Sequence, residues 1–246
     1  MKRSIILLLI SLLCLVSCSE QKPELTASEI LQRSIDSYGG PQFFNSTITF
    51  KVDDLDYKLI RQDHLTDFTV SREKDGYELV GRYRNGFQEY IVDGKVQEEG
   101  NYSRRILNSK LDGFVYTQSF PHVLQQNGID LQRLADVTIR KQRFLTIQAI
   151  TKPLEDVEQD EVILYVHPET YEIHYVAEQL QVNGGYLVFR RCVNFRSVNG
   201  ILFSDYYSFA SSSDTITLKG MYKGYEMAYL REMNKTEIKD INVVYP

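Results

Sequence analysis

Pairs of turn-forming residues divide most of this chain into short runs that favour β-strands. These turn signals are Asp75-Gly76, Asn85-Gly86, Asp93-Gly94, His167-Pro168-Glu169-Thr170, Asn183-Gly184-Gly185 and Asn199-Gly200. Between alternating hydrophobic residues such pairs favour β-hairpins, because type I′ turns require a positive φ at both central residues. The intervening runs predict about eleven strands, at 46–52, 57–63, 66–73, 77–83, 86–92, 137–150, 160–167, 171–182, 185–196, 201–210 and 214–222. We therefore expect a mainly β protein built as an antiparallel meander.

A meander of this width favours a strongly curved sheet or an unclosed β-barrel, because wide sheets curl or close to accommodate their twist and their edges. A helix precedes it: Thr26 with Glu29 forms a capping box, and Gly39-Gly40 is typical of a helix end. Residues 101–126 interrupt the β pattern and contain Pro121, which predicts a helical or irregular insertion. We expect an α+β fold in which the N-terminal helix and the insertion cover the concave side of the sheet.

A hollow between the sheet and its helical cover is one consequence of this architecture. With aromatic and aliphatic walls, it would bind an apolar ligand such as a lipid or an acyl chain. The apolar lining predicted from the insertion is Phe114, Tyr116, Phe120, Val123 and Leu124. The alternative is that the helices fill the hollow as ordinary core, and periodicity alone does not choose between the two.

One predicted strand carries a row of polar side chains. In residues 185–196 most odd positions are hydrophobic, whereas the even positions include Arg190, Asn194 and Arg196. Alternation predicts that these three share a face. That face is either an ordinary solvent-exposed row or a cationic rim that binds an anionic head group or an acidic partner through charge-assisted hydrogen bonds. Cys192 lies in the same row and has no nearby cysteine, which is typical of a packed thiol.

The first residues have the pattern of an export signal. A positive start is followed by the apolar run 5–16, which is too short to span a bilayer as a helix. Leu15-Val16-Ser17-Cys18 resembles the lipobox of bacterial lipoproteins, whose cysteine is acylated and becomes the first residue after cleavage. An ordinary secretory signal with an incidental cysteine is the alternative.

The lipobox resemblance implies a division of the chain into three parts. Residues 1–17 are expected to be a lipoprotein signal peptide, residues 18–24 a lipidated N-terminus and tether, and residues 25–246 a single β-barrel-like domain. Lipidation is expected at Cys18. The membrane is then the main expected partner, because two or more acyl chains hold a protein stably on a bilayer.

Location and charge narrow the expected partners further. Ser19 follows Cys18, whereas an aspartate at that position retains some Gram-negative lipoproteins at the inner membrane. We therefore expect a lipid-anchored protein of the cell envelope, at the outer membrane, with its periplasmic or surface side left open. Without Lys2 and Arg3, 26 basic side chains face 33 acidic ones, a net charge of −7. Nucleic acid is not an expected partner of such a surface, and the sequence leaves the identity of any protein partner open.

Sequence motifs for catalysis or metal binding are absent. The four histidines form no H-x-x-x-H pair, and no G-x-S-x-G motif occurs. We expect each histidine at the surface or at a strand end, with His167 and His174 not facing each other across their turn. The acidic runs 53–56 and 155–161 lack the glycine and the ligand order of a calcium loop. We predict no catalytic residue, no cofactor and no metal site; a hydrolase assembled from distant residues is a minor alternative.

Several longer motifs occur in the same order in a known group of proteins. They are the Tyr38-Gly39-Gly40 helix end, Phe120-Pro121, residues 171–177, residues 184–196 and residues 200–206. Together they resemble a family of uncharacterised Gram-negative outer-membrane lipoproteins defined by a domain of unknown function. That family is similar in fold to the lipoprotein-sorting carriers of the LolA and LolB type, whose unclosed β-barrel is covered by helices around an apolar cavity. The resemblance implies a fold and brings no functional residues, since no acyl-handling residue of the carriers matches a position in this sequence.

Two functional hypotheses follow. The first is a non-catalytic, membrane-anchored lipoprotein that binds a lipid or acyl chain in a cavity between curved sheet and helices, with a role in lipid or lipoprotein handling in the envelope. The second is a structural or interaction lipoprotein that docks an envelope protein or a glycan through its sheet surface. An open apolar cavity would favour the first hypothesis.

Overall fold

The computed structural model describes residues 24–62, 65–84, 87–97, 119–125, 128–151, 159–181, 184–211 and 215–246. The predicted signal peptide, the lipidation site Cys18 and most of the 101–126 insertion, with Phe114 and Tyr116, lie outside the described residues. Within the described part, no helix is both long and apolar enough to cross a membrane.

Strands make up most of the described chain, which confirms the prediction of a mainly β protein. The fourteen strands described are β1 (Ser46–Val52), β2 (Leu55–Gln62), β3 (Leu65–Lys74), β4 (Tyr77–Arg84), β5 (Phe87–Val92), β6 (Lys95–Val96), β7 (Ile129–Ile139), β8 (Gln142–Thr151), β9 (Glu161–Val166), β10 (Ile173–Gln179), β11 (Leu187–Val198), β12 (Ile201–Ser211), β13 (Leu230–Thr236) and β14 (Lys239–Val244). They are accompanied by the helices α1 (Ala27–Ser37) and α2 (Met221–Glu226) and by the 3₁₀ helices Gly40–Phe44, His122–Gln125 and Leu218–Gly220.

The strands form two antiparallel sheets of seven strands each. Sheet A has the order β14-β1-β2-β3-β4-β5-β6, and sheet B has the order β13-β12-β11-β10-β9-β8-β7. Strands that are neighbours in a sheet are also neighbours in sequence, except that β14 returns to pair with β1. Among the described residues β6 and β7 do not pair, so the structure is unclosed on that side. The predicted meander is therefore present, but it is divided between two sheets instead of forming one sheet of about eleven strands.

Several predicted strands differ from the structure for identifiable reasons. The run 137–150 contains a hairpin turn, because Arg140 and Lys141 both adopt positive φ without the glycine or asparagine that marks such turns. The prediction of a strand at 214–222 is wrong: a 3₁₀ helix and α2 begin there, with buried residues at helical spacing. The strands β13 and β14 were not predicted. Residues 231–235 of β13 are all exposed, and the inward face of the short β14 carries two apolar residues, Ile241 and Val243.

Helix α1 forms as its sequence predicts. The hydroxyl of Thr26 accepts a hydrogen bond from Glu29 N at 3.2 Å, and the Glu29 carboxylate accepts one from Thr26 N at 2.8 Å, which completes the capping box. The chain leaves the helix through Gly39, whose φ is 101°. The buried face of α1, which includes Ile30 and Leu31, packs against β7 and β8 of sheet B.

Both faces of sheet B are buried. On one face, α1 and residues 119–125 form a core with residues of β8, β9 and β10. On the opposite face, α2 and Leu230 form a second core with other residues of the same strands and of β11. Every residue of β9 from Val162 to Val166 is consequently buried. A strand covered on both faces is hydrophobic throughout instead of alternating, which is the pattern of β9.

Sheet A has a core of its own on one face. This core includes Phe50 of β1 and Tyr57 and Leu59 of β2, at alternate positions along their strands. Ile201 and Phe203 of β12 belong to the same core. The beginning of β12 therefore joins sheet B to the inner face of sheet A.

Replacement of Ile30 by alanine should lower the free energy of unfolding by about 2–5 kcal/mol, the usual cost of emptying a buried isoleucine site. Ile30 is completely buried between α1 and sheet B. Ser28→Ala, on the exposed face of α1, is the matched control and should change the free energy of unfolding by less than about 0.5 kcal/mol. Denaturant unfolding measures both variants, and equal effects would contradict the packing of α1 on sheet B.

Candidate functional site

A partly open hollow lies against one face of sheet B. Its walls come from the end of α1, the 3₁₀ helix Gly40–Phe44, residues 119–125 and the strands β10, β11 and β12. The lining residues are Tyr38, Phe43, Phe120, His122, Ile173, Val176, Arg190, Cys192, Ile201, Leu202, Phe203, Ser204 and Tyr206. The hollow measures about 570 Å³ when the solvent at its mouth is included, and only a small part of that volume is clear of the walls.

Gly39 allows the 3₁₀ helix to lie directly against β12. Its φ of 101° favours glycine, and a Cβ at this position would lie 3.1 Å from both the carbonyl oxygen of Gly200 and Cγ1 of Ile201. Just before it, the hydroxyl of Tyr38 accepts a hydrogen bond from the backbone N–H of Ile173 at 3.2 Å. The end of α1 is thereby fixed to both β10 and β12, which places Phe43 in the wall of the hollow.

A buried ion pair forms the polar part of the wall on sheet B. Arg190 Nη2 donates to Glu178 Oε1 at 2.5 Å, and the guanidinium lies 4.7 Å from the centre of the Tyr206 ring. Burial raises the pKa of the Glu178 carboxyl, and the charge of Arg190 opposes that shift. Arginine stays protonated at neutral pH, and its charge and hydrogen bond favour the ionised form of Glu178. Among the described residues, Arg190 Nε and Glu178 Oε2 have no hydrogen-bond partner.

The thiol of Cys192 lies in the same wall and is not activated. Burial raises the pKa of Cys192 to about 11, although a hydrogen bond with Ser204 and the charge of Arg190 oppose the shift. Nucleophilic cysteines have a lowered pKa. Cys192 is therefore a packed thiol, as its sequence context predicts.

His122 lies in the wall of the hollow instead of at the surface. It is 1% exposed and stacks on Phe43, with the ring centres 3.9 Å apart. Burial lowers the pKa of His122 to about 3, with a smaller contribution from the charge of Arg61 and an opposing one from the backbone of Gly40. Neither ring nitrogen makes a hydrogen bond of normal geometry among the described residues, so the contact with Gly40 is weak. The expectation that His122 lies at the surface is therefore wrong. Its ring is neutral at physiological pH.

Arg61 is a candidate residue that was not predicted from the sequence. It follows three buried hydrophobic residues at alternate positions of β2 and so continues their inward face. Its guanidinium carbon lies 4.2 Å from the centre of the Phe43 ring and 4.9 Å from that of Phe68, and Nη2 donates to Ser119 Oγ at 2.6 Å. Burial lowers the pKa of Arg61 to about 10. A charged residue that continues a hydrophobic alternation is the sequence signal that could have marked it.

The residues predicted to line the cover divide between the hollow and the core. Phe120 lines the hollow. Leu124 is buried in the core beneath α1, and the half-buried Val123 packs against that core. A role of these residues toward a ligand stays a prediction.

The predicted cationic rim is interrupted by a β-bulge. The register of β11 against β12 shifts between Val193 and Arg196, and Asn194 has a φ of 53°. Arg190 lines the hollow, whereas Arg196 Nη2 and Asn194 Nδ2 donate to the two carboxylate oxygens of Asp205 at 2.9 and 3.0 Å. The three residues therefore do not form one exposed row, and their role in ligand binding stays a prediction.

His167 and His174 face each other, contrary to the expectation from sequence. Their rings stack with centres 5.2 Å apart, because the turn between β9 and β10 returns the chain beside itself. Burial lowers the pKa of His174, and a hydrogen bond with Glu172 opposes this shift. Within the described ranges, no group of three or more His, Cys, Asp or Glu residues is placed to hold a metal ion.

The longer motifs noted in the sequence coincide with parts of this site, including the helix end at Tyr38, Phe120 and strand β12. Residues 2–240 match the family of unknown function DUF6503. The chain belongs to this family. The resemblance to a family defined by a domain of unknown function is thereby confirmed. No curated protein matches the DUF6503 chain.

Two solved structures are similar to this DUF6503 protein. One is named as an outer membrane lipoprotein-sorting protein domain from Vibrio parahaemolyticus, with 9% identity, a TM-score of 0.48, and coverage of 89% of this chain and 92% of that one. The other is a DUF1329 family protein from Desulfovibrio piger, with 9% identity, a TM-score of 0.44, and coverage of 90% and 94%. The name of the first structure is that of a lipoprotein-sorting protein, the type of carrier named in the sequence analysis. At these scores, neither similarity indicates a function.

His122→Phe should reduce the loss of stability in acid. The pKa of His122 is about 3 in the folded protein against a usual value of 6.5, so the unfolded chain binds the proton more readily between these values. Stability should therefore fall with decreasing pH across this range, by about 1.4 kcal/mol per pH unit for one proton, and be unaffected above it. Phenylalanine keeps the stack on Phe43 and removes the titrating group. Denaturant unfolding at several pH values measures the difference, and parallel profiles of variant and wild type would contradict a buried neutral ring.

Proposed function

We propose that this DUF6503 protein is a membrane-anchored, non-catalytic lipoprotein that binds a lipid or an acyl chain in the hollow on sheet B. The observation that carries the proposal is the composition of the walls. The side chains of Tyr38, Phe43, Phe120 and Leu202, with other apolar groups, surround a small number of fixed polar groups. Sites that bind apolar molecules have this pattern. The role we propose is in the handling of lipids or lipoproteins of the cell envelope.

The polar groups of the hollow are suited to binding more than to chemistry. The raised pKa of Cys192 keeps its thiol protonated, and the low pKa of His122 makes its ring a weak proton acceptor. Arg190 is held by Glu178. A covalent or acid–base mechanism needs a nucleophile within reach of a base, and these described groups do not supply that pair.

Binding of a chain requires the walls to separate, since little of the hollow is clear of side chains. Residues 119–125 and the 3₁₀ helix Gly40–Phe44 meet through the stacked rings of Phe43 and His122. On the other side, β10, β11 and β12 are held together by the hydrogen bonds of the sheet. Separation of the 3₁₀ helix and residues 119–125 from the sheet therefore requires less free energy than separation of the strands. In our proposal the ligand enters on that side.

In this proposal Cys18 supplies the attachment to the membrane. It follows the apolar run of the export signal and precedes a short polar tether that leads to α1. The two or more acyl chains of a bacterial lipoprotein are enough for stable anchoring. Ser19 favours the outer membrane as the location, with the domain 25–246 on its periplasmic or outer side.

The docking alternative was suggested by the polar residues of β11. The contacts of these residues give it less support. Arg190 is buried against Glu178, and Arg196 is engaged with Asp205. Neither guanidinium is free to bind a protein or a glycan at the surface of the sheet. We therefore place the ligand hypothesis first.

Leu202→Trp should reduce the amount of bound ligand. Leu202 is half-buried in the wall of the hollow, and an indole ring there would occupy the free space. Leu187→Trp is the matched control, because Leu187 is a half-buried leucine that packs in the core on the opposite face of sheet B. Native mass spectrometry of the acylated protein, released in a mild detergent, should show a non-covalent adduct of lipid mass on the wild type and on Leu187→Trp. On Leu202→Trp the adduct should fall about tenfold, which corresponds to about 1.4 kcal/mol of binding free energy. A wild type that never carries such an adduct would overturn the proposal.

Cys18→Ser should abolish acylation. Cells grown with an alkyne-tagged fatty acid should incorporate the tag into the wild type, because the proposed thioether requires the Cys18 sulfur. The control is Cys192→Ser, which removes the thiol packed in the domain and should leave labelling unchanged. The intact mass of the purified wild type should equal that of residues 18–246 plus the acyl groups. Labelling that survives in Cys18→Ser would place the modification elsewhere.

A further inference from the structure

Arg61 is a largely buried cation without a carboxylate partner among the described residues. Burial is the sole cause that shifts its pKa, with no acidic group opposing it. Its hydrogen bond to Ser119 Oγ is to a neutral acceptor, and its Nε is buried without a partner in the described part of the chain. Buried charges are usually paired, because removal of a charge from water is costly unless a counter-charge compensates it.

Most other buried or half-buried arginines of the described strands follow that rule. Arg82 pairs with Asp67, Arg133 with Asp136, Arg190 with Glu178 and Arg196 with Asp205. Arg191 also lacks a carboxylate among the described residues, but it contacts Tyr225 and Tyr207 and so lies on the α2 side of sheet B. Of these residues, Arg61 is the one that combines an unpaired charge with a position at the hollow.

The position of Arg61 relative to the hollow is set by three contacts. Its guanidinium lies on the ring of Phe43, which is part of the wall. Its charge acts on His122, another part of the wall. Ser119, which accepts its hydrogen bond, directly precedes Phe120 of the wall. The site therefore has an unpaired positive charge beside a wall that is mostly apolar, which is the complement of an amphiphile with an anionic end.

The aromatic rings around Arg61 stabilise it only in part. Its guanidinium carbon lies 4.2 Å from the ring centre of Phe43, 4.9 Å from that of Phe68 and 6.0 Å from that of Phe44. Such cation–π contacts explain how the cation is tolerated without a ligand. In the described part of the chain the guanidinium donates only to Ser119, so most of its N–H donors are left for oxygen acceptors in its plane.

We infer that the ligand of the hollow ends in an anionic group, a carboxylate or a phosphate, which Arg61 binds while the acyl chain contacts Phe43 and Phe120. The inference rests on the proposed function and adds the chemical class of the ligand. A guanidinium binds either oxyanion through paired, charge-assisted hydrogen bonds. Ser119 Oγ, at 2.6 Å from Nη2, orients the guanidinium for this contact.

The test compares three ligands that share one sixteen-carbon chain and differ at the end: palmitic acid, hexadecyl phosphate and hexadecanol. Native mass spectrometry of the acylated protein in a mild detergent measures the fraction that carries each. The wild type should carry at least one of the two anionic ligands in about tenfold excess over the alcohol. Arg61→Met should reduce that preference to within about twofold, while binding of hexadecanol persists. Arg61→Lys should keep part of the preference.

The matched control is Arg191→Met, which removes a half-buried arginine from the opposite face of sheet B and should keep the wild-type preference. If Arg61→Met does not fold, Arg61→Gln, which retains a donor for Ser119, gives the same comparison. Preference for palmitic acid alone identifies a carboxylate ligand, and preference for the phosphate alone identifies a phosphorylated lipid.

Two results would overturn the inference and leave the proposed function intact. One is equal binding of the acids and the alcohol by the wild type. The other is a preference that persists in Arg61→Met and Arg61→Gln. Absence of all three ligands from the wild type would instead contradict the proposed function, and the inference with it.

Discussion

The structure depends on the burial of sheet B from both sides. Helix α1 covers one face and α2 the other, so β8 and β9 are buried at consecutive positions. The length of α1 then determines where the hollow forms. Its eleven residues extend about 16 Å, whereas seven strands at about 4.8 Å spacing span about 29 Å. The body of α1 packs on β7 and β8, whereas the face of β10, β11 and β12 meets only the end of the helix and shorter segments, and it retains the hollow.

The buried polar groups near the hollow show three different solutions to the cost of removing charge from water. Arg190 and Glu178 compensate each other. His122 gives up its proton and is buried as a neutral ring. Arg61 does neither, since it stays cationic and meets aromatic rings and one hydroxyl. The third solution is the costly one in an isolated protein, and that cost is the ground for inferring a ligand of opposite charge.

Local signals in the sequence were sufficient for the elements that depend on neighbouring residues. The capping box at Thr26 and the hairpin turns such as Asp75-Gly76 correspond to observed elements. The prediction of a single strand at 137–150 was wrong because the backbone there departs from the usual residue preferences. Arg140 and Lys141 form a turn without glycine. The division of one meander into two sheets could not be predicted from the sequence either. It depends on the pairing of β14 with β1, which lie at opposite ends of the described strand order.

The candidate site was predicted only in part, for a related reason. Phe120 was expected in the apolar lining, and it lines the hollow. Arg61 and His122 are brought to it by contacts with Phe43 that join distant parts of the chain. The alternation of β2 marks the inward face of Arg61, but no spacing rule in the sequence encodes its contact with Phe43. The bulge at Asn194 likewise separates polar residues that a regular strand would have aligned.

The pairing of β14 with β1 has a consequence for the way this chain is made. Sheet A keeps an open edge at β1 until residues 239–244 are available to cover it. Almost all of the other described strands precede β14 in the chain, so they must be made before that edge is closed. Pairing between such distant strands is slow to form, and an exposed strand edge favours association with other chains. Newly made chains therefore pass through a stage in which the edge at β1 is open to association with other chains.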